Sequence, residues 1–401
     1  MNICFFSDEF SSNFKPLTLT RPLDDLRIGI FTIREKWIKV LKPTSWIRQV
    51  ENYLSILFPV GSVNDDQDYI WINSRVLPNP ELINSIQNLE PNQSIVSRNT
   101  LIASRISYQE TQSLIQSSSQ PISKNAIKFE SELLVFEYFW DLLAENAEQI
   151  KFDIKLLPAS FQTVSKLEPS IVISNPDNVF VHESADVEPG CIFIAEEGPV
   201  YIGPNAKIEA GSIIKGPAAI CEKSEIKMGA RIFNGTTVGP VCKVGGEINN
   251  CIFHSYSNKA HDGFAGNSII GQWSNFGAAT NTSNLKNNYS TIKLPHWDTG
   301  SISENGVQFF GTVFGDFSKT AINTRLNTDT VCGVSSNIFS NGFPPKMIRS
   351  FAWLGEESMI YEFDKAIEAM RAMMSRRGVE LTEDYIDMMR HIFNLEYATG
   401  S

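Results

Sequence analysis

The sequence predicts an α/β domain followed by a parallel β-helix and two closing helices, and three observations predict it. Ile202, Ile208, Ile214, Ile220, Ile226, Ile232, Val238 and Val244 fall at every sixth position without a miss. Residues 1–156 alternate short apolar runs with helical patterns. Beyond Pro344-Pro345 two segments carry apolar residues at spacings of three and four. A period of six is neither helical nor a strand alternation; it fits stacked coils with flat faces, one aliphatic residue per face pointing into a narrow interior. Two places before each of the last seven stands a small residue (Ala206, Ser212, Ala218, Ser224, Ala230, Thr236, Cys242), as a tight corner between faces requires.

In chain order, NICFF opens as a strand, TIREKWIKVL follows as an amphipathic helix, and DYIWIN is a second buried strand. NPELINSIQNL reads as a helix capped by Asn79, with Pro80 at its first position, where a missing N–H costs nothing. LLVFEYFWDLLAENAEQI reads as strand into helix, its aromatics Phe136, Tyr138, Phe139 and Trp140 in the core. This alternation is expected of a parallel sheet. Residues 157–178 read as a linker and 179–345 as the solenoid. A second register is expected at Phe264, Ile270, Phe276 and Thr282 and a third at Ile322, Thr328 and Val334, with insertions at 246–262 and 284–310. Pro344-Pro345 should end the scaffold. In 346–401 one helix should bury Ile360, Phe363, Ile367, Met370 and Met374 and stop at Gly378; a second should start at Thr382.

The 401 residues suffice for two domains or more, and 42% hydrophobic with 20% charged residues is a globular balance. No run approaches the ~20 apolar residues of a membrane span, and the acidic N-terminus is unlike a signal peptide, so no membrane partner and a cytoplasmic location are expected. A net charge of −11 argues against nucleic-acid binding. The six cysteines form no C-x-x-C pair and read as buried small residues, with no metal site among them.

Two stretches resemble known families. NFKPLTLTRPLDDLRIG resembles the opening of sugar-phosphate nucleotidyltransferases, where a glycine-rich loop cradles nucleotide phosphates and an Asp after a later strand holds the metal. Pro16-Leu17-Thr18 and Arg21-Pro22 are kept. SDEFSSNFK has no glycine, Leu23 replaces a lysine, and Ile72-Asn73-Ser74-Arg75 stands where Gly-Asp is expected. Lys15, Arg21 and Arg27 are the candidate nucleotide-binding residues; Asp8 and Glu9 should repel a triphosphate.

NKAHDGFAGNSIIGQWSNFGAATNTSNLKNNY, residues 258–289, is similar to the acetyltransferase half of the bifunctional family that makes UDP-N-acetylglucosamine, and more so to a divergent branch of it with a β-helix tail. The resemblance is strong over about 241–290 and implies a Rossmann-like nucleotidyltransferase domain on a left-handed β-helix. It makes His261 the general base, with Asp262 able to orient it and His254 as a rival. Asn275 and Asn284 would meet the amino sugar and the reacting amide, and Lys286 the sugar phosphate; Lys259, Arg231, Lys243, Glu247 and Tyr289 are further candidate substrate contacts. Phe264 replaces a tyrosine.

The implied function is acetyl-CoA-dependent N-acetylation of a hexosamine 1-phosphate by a homotrimer, beside a nucleotidyltransferase domain of altered or lost activity. Mg²⁺ is expected only if nucleotidyl transfer is retained. Two alternatives stand beside it: nucleotidyl transfer from UTP or dTTP as the main activity, and a catalytically silent trimeric scaffold or sugar-nucleotide sensor.

Overall fold

The computed structural model describes residues 1–62, 67–117, 119–122, 125–158, 161, 167–304 and 306–398. Part of the expected linker, at 159–160 and 162–166, lies outside them. The chain clusters into two compact units. The first comprises Met1–Phe14, Arg21–Leu26 and Phe31–Phe139; the second comprises Trp140–Ser401 together with Lys15–Thr20 and Arg27–Ile30.

In the first unit, β1 (Asn2–Phe6) leads to α1 (Ile33–Leu41), whose N-cap Thr32 forms a capping box with Glu35. β2 (Ser45–Arg48) and β3 (Tyr69–Asn73) follow, then α2 (Pro80–Gln87), with the Asn79 side chain accepting from the Leu82 amide at 2.8 Å. β4 (Gln93–Ser97), β5 (Thr100–Ile106), α3 (Tyr108–Ser117) and β6 (Asn125–Lys128) complete the series, and α4 (Phe139–Ile154) opens the long stretch of the second unit.

The sheet order is β2-β1-β3-β5-β4-β6. β1 runs parallel to β2 and β3, whereas β5 is antiparallel to β3 and β4. The expected parallel sheet is therefore mixed. Arg98 and Asn99, both at positive φ, make a two-residue hairpin that reverses the chain between Ser97 and Thr100; without a glycine in it, that turn carries little sequence signal. The strand expected to run directly into α4 is not formed: Val135 makes an isolated bridge to Val76, Phe136, Phe139 and Trp140 are buried as expected, and Tyr138 is only partly buried.

In the second unit three faces of short parallel strands stack coil on coil. The first runs from Val179–Val181 to Met347–Ile348 and the second from Asp186–Val187 to Ala352–Leu354. The third runs from Val172–Ser174 to Phe264–Gly266 and continues as the pair Asn281–Thr282 and Arg325–Leu326. The eight six-spaced residues are 0–1% exposed and form the interior column.

The later registers differ from expectation. Ile248 pairs with Ala265, so the inward residue is Ala265, and Phe264 stands outside beside Glu247. The third register is Phe314, Thr320, Leu326, Cys332 and Ile338, again six apart; Ile322 is 70% exposed. Residues 246–262 do not leave the solenoid, since Glu247–Asn249, Ile252–Phe253 and Asn258–Lys259 each pair with the coil before. Turns at Gly245-Gly246 and Asn250 shorten the coil there. Between Thr282 and Thr312 the chain does leave the ladder, making a hairpin of Lys293–Pro295 with Ile302–Glu304.

Pro344-Pro345 does not end the scaffold. Met347–Ile348 and Ala352–Leu354 join it afterwards, because the two prolines fall in the connection and not on a rung. Ile360 is half exposed in a short strand, and α5 (Phe363–Ser375) buries Phe363, Ile367, Met370 and Met374. α6 (Glu383–Tyr397) is capped by Thr382, which accepts from the Tyr385 amide. All six cysteines are free and buried. Among the described residues no helix is long and apolar enough to cross a membrane.

Candidate active site

On the second solenoid face Val244, Lys259, Phe276 and Thr320 point inward, so the residues immediately before them point outward. Those are Lys243, Asn258, Asn275 and Lys319, paired rung to rung in that order. Parallel strands lie about 4.8 Å apart, which spaces Lys243 and Lys319 by roughly 14 Å. A cavity of about 820 Å³ lies over this ladder and includes His261 in its lining. Tyr256 stacks on Trp273 at 4.2 Å to form an aromatic wall, and Met373, Arg376 and Arg377 close it from the end of α5.

His261 is exposed on the turn after Asn258–Lys259. That turn is held from both sides: the Ala279 amide donates to the Asp262 carbonyl at 2.8 Å, and the Glu247 amide to the Gly263 carbonyl at 3.1 Å. From inside, the Lys259 ammonium donates to the Gly245 carbonyl at 3.0 Å and to the His261 carbonyl at 2.8 Å. Lys259 is 1% exposed, in the interior column between Val244 and Phe276. Burial pushes its ammonium down to about 8, against the pull of Asp262. Expected beside the substrate, Lys259 instead supports the backbone that carries His261. Among the described residues the His261 imidazole makes no hydrogen bond, to Asp262 or any other group. His254 is 8% exposed, bonded through Nδ1 to Ser255 Oγ at 3.1 Å, and does not line the cavity.

The other candidates gather elsewhere. Arg231 and Glu247 are adjacent rungs of the third face, ion-paired at 3.2 Å, with Phe264 the next rung. Asn284 donates to Asn267 Oδ1 at 2.7 Å, Lys286 to the Thr291 carbonyl at 2.7 Å, and Tyr289 is 68% exposed. His261, Asn275 and Lys243 thus share the cavity, whereas Arg231, Glu247, Asn284, Lys286 and Tyr289 are not in its lining. Sequence reasoning missed Lys319, Arg376 and Arg377. The correct third register would have found Lys319, which precedes Thr320 as Asn275 precedes Phe276.

The candidate nucleotide-binding residues are engaged with protein groups. Lys15 pairs with Asp298 at 2.9 Å. Arg27, 9% exposed, donates to the carbonyls of His254 and Ile30. Arg21 is 3% exposed and lies 3.8 Å from Asp25. Asp8 is held by Arg75, with Nε donating to Oδ1 at 2.8 Å, and by Asn73 Nδ2 at 2.9 Å. The repulsion expected from Asp8 and Glu9 therefore reduces to Glu9, because the Arg75 guanidinium neutralises Asp8.

Residues 3–161 match the family model of sugar nucleotidyl transferases. The chain is also 28% identical, over 167 residues covering 42% of it, to the bifunctional protein GlmU of Methanococcus vannielii. It spans about a third of that relative's length. Two solved structures resemble it weakly. UDP-N-acetylglucosamine acyltransferase from Campylobacter jejuni is 16% identical, with 59% of this chain and 86% of that one covered and a TM-score of 0.26. LpxA from Acinetobacter baumannii is 15% identical, with 58% and 85% covered and a TM-score of 0.18. These two values are too low to support any inference, and the β-helix rests on its own strand pairing.

In the stretch that matches this family model the residues after β3 do not fit a Mg²⁺ ion. Asn73-Ser74-Arg75 offers an amide and a cation, and the nearby Asp8 carboxylate is already committed to Arg75. Among the described residues no group of three or more His, Cys, Asp and Glu could hold a metal ion.

Proposed function

We propose that the protein is an N-acetyltransferase that moves an acetyl group from acetyl-CoA to the amine of a hexosamine 1-phosphate, at the cavity lined by His261 and Asn275. The observation that carries this reading is that an exposed imidazole, an Asn side-chain amide and several cations line one cavity, on a coil whose backbone is fastened by Lys259. The ammonium of the sugar must lose a proton before its nitrogen attacks the thioester carbonyl, and the His261 imidazole can accept that proton. The Asn275 amide can donate to the oxygen on which negative charge develops. The C–S bond then breaks, the departing thiolate takes the proton from His261 and leaves as free thiol, and the second proton of the former ammonium passes from the acylated nitrogen to solvent, so that the amide is neutral. Incubation with acetyl-CoA and glucosamine 1-phosphate tests the reading by release of free thiol. No thiol above the enzyme-free rate would end it.

A closed homotrimer belongs to this proposal. In the family that the 258–289 stretch resembles, the CoA site is completed by a neighbouring subunit, and here Arg231 and Glu247 stand on the third face, Asn275 on the second, and Asn284 and Lys286 on the segment that leaves the ladder after Thr282. A threefold assembly is the arrangement in which one copy's Asn284 and Lys286 meet another's His261 and Asn275.

Nucleotidyl transfer as the main activity is the second reading, and the family match of residues 3–161 favours it. We assign it a minor part, because Lys15 and Arg27 are spent on protein groups and the segment after β3 lacks a metal ligand. Pyrophosphate release from UTP or dTTP with a sugar 1-phosphate, faster than acetyl transfer, would reverse the order.

A further inference from the structure

We propose that Lys319, Arg376 and Arg377 form a phosphate-binding subsite, so that the C-terminal helix α5 is part of the candidate active site and not only a cover for the solenoid. Identifying the phosphate rests on the acetyltransferase reading; the subsite itself does not. The cavity lining contains no carboxylate, yet it holds four cations. Lys243 has a counter-ion, Glu225, at 2.7 Å. Lys319 and Arg376 have none among the described residues. Burial lowers the Lys319 ammonium with no anion to offset the loss, and an incoming anion would relieve that cost.

Arg377 fixes the geometry. Its Nη2 donates to Asn258 Oδ1 at 2.7 Å, pinning the end of α5 to the ladder one rung from Asn275. The C-terminal end of a helix favours cations, so Arg376 and Arg377 are stable where they stand. That effect does not require Arg376 to face a cavity lined by another unpaired cation. A dianionic phosphate monoester suits such a set, since guanidinium and ammonium groups make charge-assisted hydrogen bonds to its oxygens. Asn275 is one rung from Lys319, about 4.8 Å away along the sheet, so the phosphate would sit close to the reacting groups. Both substrates of the proposed reaction carry a phosphate monoester: the 1-phosphate of the sugar, and the 3′-phosphate of the donor's nucleotide.

The test is calorimetric titration of the full chain with glucosamine 1-phosphate and, separately, with adenosine 3′,5′-bisphosphate, for wild type, Lys319→Met and Arg376→Ala. Arg377 is left intact because it anchors α5. Each variant should bind one of the two ligands at least about tenfold more weakly, the effect of one charge-assisted bond, and the ligand affected names the source of the phosphate. Arg376→Lys should recover part of the affinity. Unchanged binding of both ligands in both variants, or no binding of either by wild type, overturns the subsite. A protein that binds through these cations but releases no thiol keeps the subsite and loses the acetyltransferase reading. Acetyl transfer with unaltered KM values in both variants does the reverse.

Discussion

At the scale of single residues, His261 and Lys259 divide the work of one turn. His261 faces the cavity, and Lys259 holds the carbonyl beneath it from inside the solenoid. His261→Ala should lower acetyl transfer about 10²–10⁴-fold, the usual contribution of a positioned base, and leave the interior column intact. His254→Ala run beside it should keep most of the activity, since His254 is buried outside the cavity; full activity in the His261 variant would remove that residue from the mechanism. Lys259 gives a prediction about pH. With its ammonium near 8 in the fold and 10.5 as the ordinary value, the folded chain binds fewer protons than the unfolded one between those limits. Stability therefore rises with pH across about 8 to 10.5 and gains nothing below, where both states are protonated. The difference in urea midpoint between wild type and Lys259→Met should grow in favour of wild type from pH 8 to 10. A constant difference would place the ammonium in a more hydrated position.

At the scale of elements, the coils tolerate no extra atom where they close on one another. A Cβ at Gly239 would stand 1.9 Å from the His254 carbonyl oxygen and 2.5 Å from that of Phe253. Both contacts are backbone, so neither can turn aside. Gly239→Ala should cost about 1–3 kcal/mol or more, read as a lower denaturant midpoint, whereas Gly211→Ala meets no atom within 4 Å and bears only the strain of its positive φ. A smaller loss in the Gly239 variant than in the Gly211 variant would refute this packing argument. The same closeness explains what could be read ahead. Ile202 to Val244 were legible because each face takes one aliphatic residue. Phe314 to Ile338 were not, because Thr320 and Cys332 fill two of the interior places and Ile322, an exposed isoleucine, suggests a false register.

At the scale of the whole molecule, the proposed function makes predictions about assembly and about nucleotidyl transfer. The proposed trimer predicts sedimentation at three times the chain mass of 44.9 kDa. Exposed Met228, Ile322 and Phe343 on the solenoid are apolar surface that neighbouring copies would cover. A monomer at micromolar concentration would remove both the trimer and the shared site. Nucleotidyl transfer should be slow beside acetyl transfer, and pyrophosphate release measured with and without Mg²⁺ on the same preparation checks it.

The amino-acid sequence by itself determined the solenoid and the caps Asn79 and Thr382, and it singled out the turn at His261 as the candidate site. Each of these is written in neighbouring residues, as a period, a capping pair or a motif. Only the tertiary structure decided which face each residue joins. Asn258, Asn275 and Lys319 are separated by 17 and 44 positions and become adjacent rungs because one coil, and then the excursion after Thr282, closes back onto the same ladder. Lys259 looks like a surface lysine in a polar segment, yet the register turns it inward beneath a glycine pair. Arg376 and Arg377 read as ordinary cations at a helix end. Their place over the cavity follows from the packing of α5 on the coils, a long-range contact that no local pattern encodes.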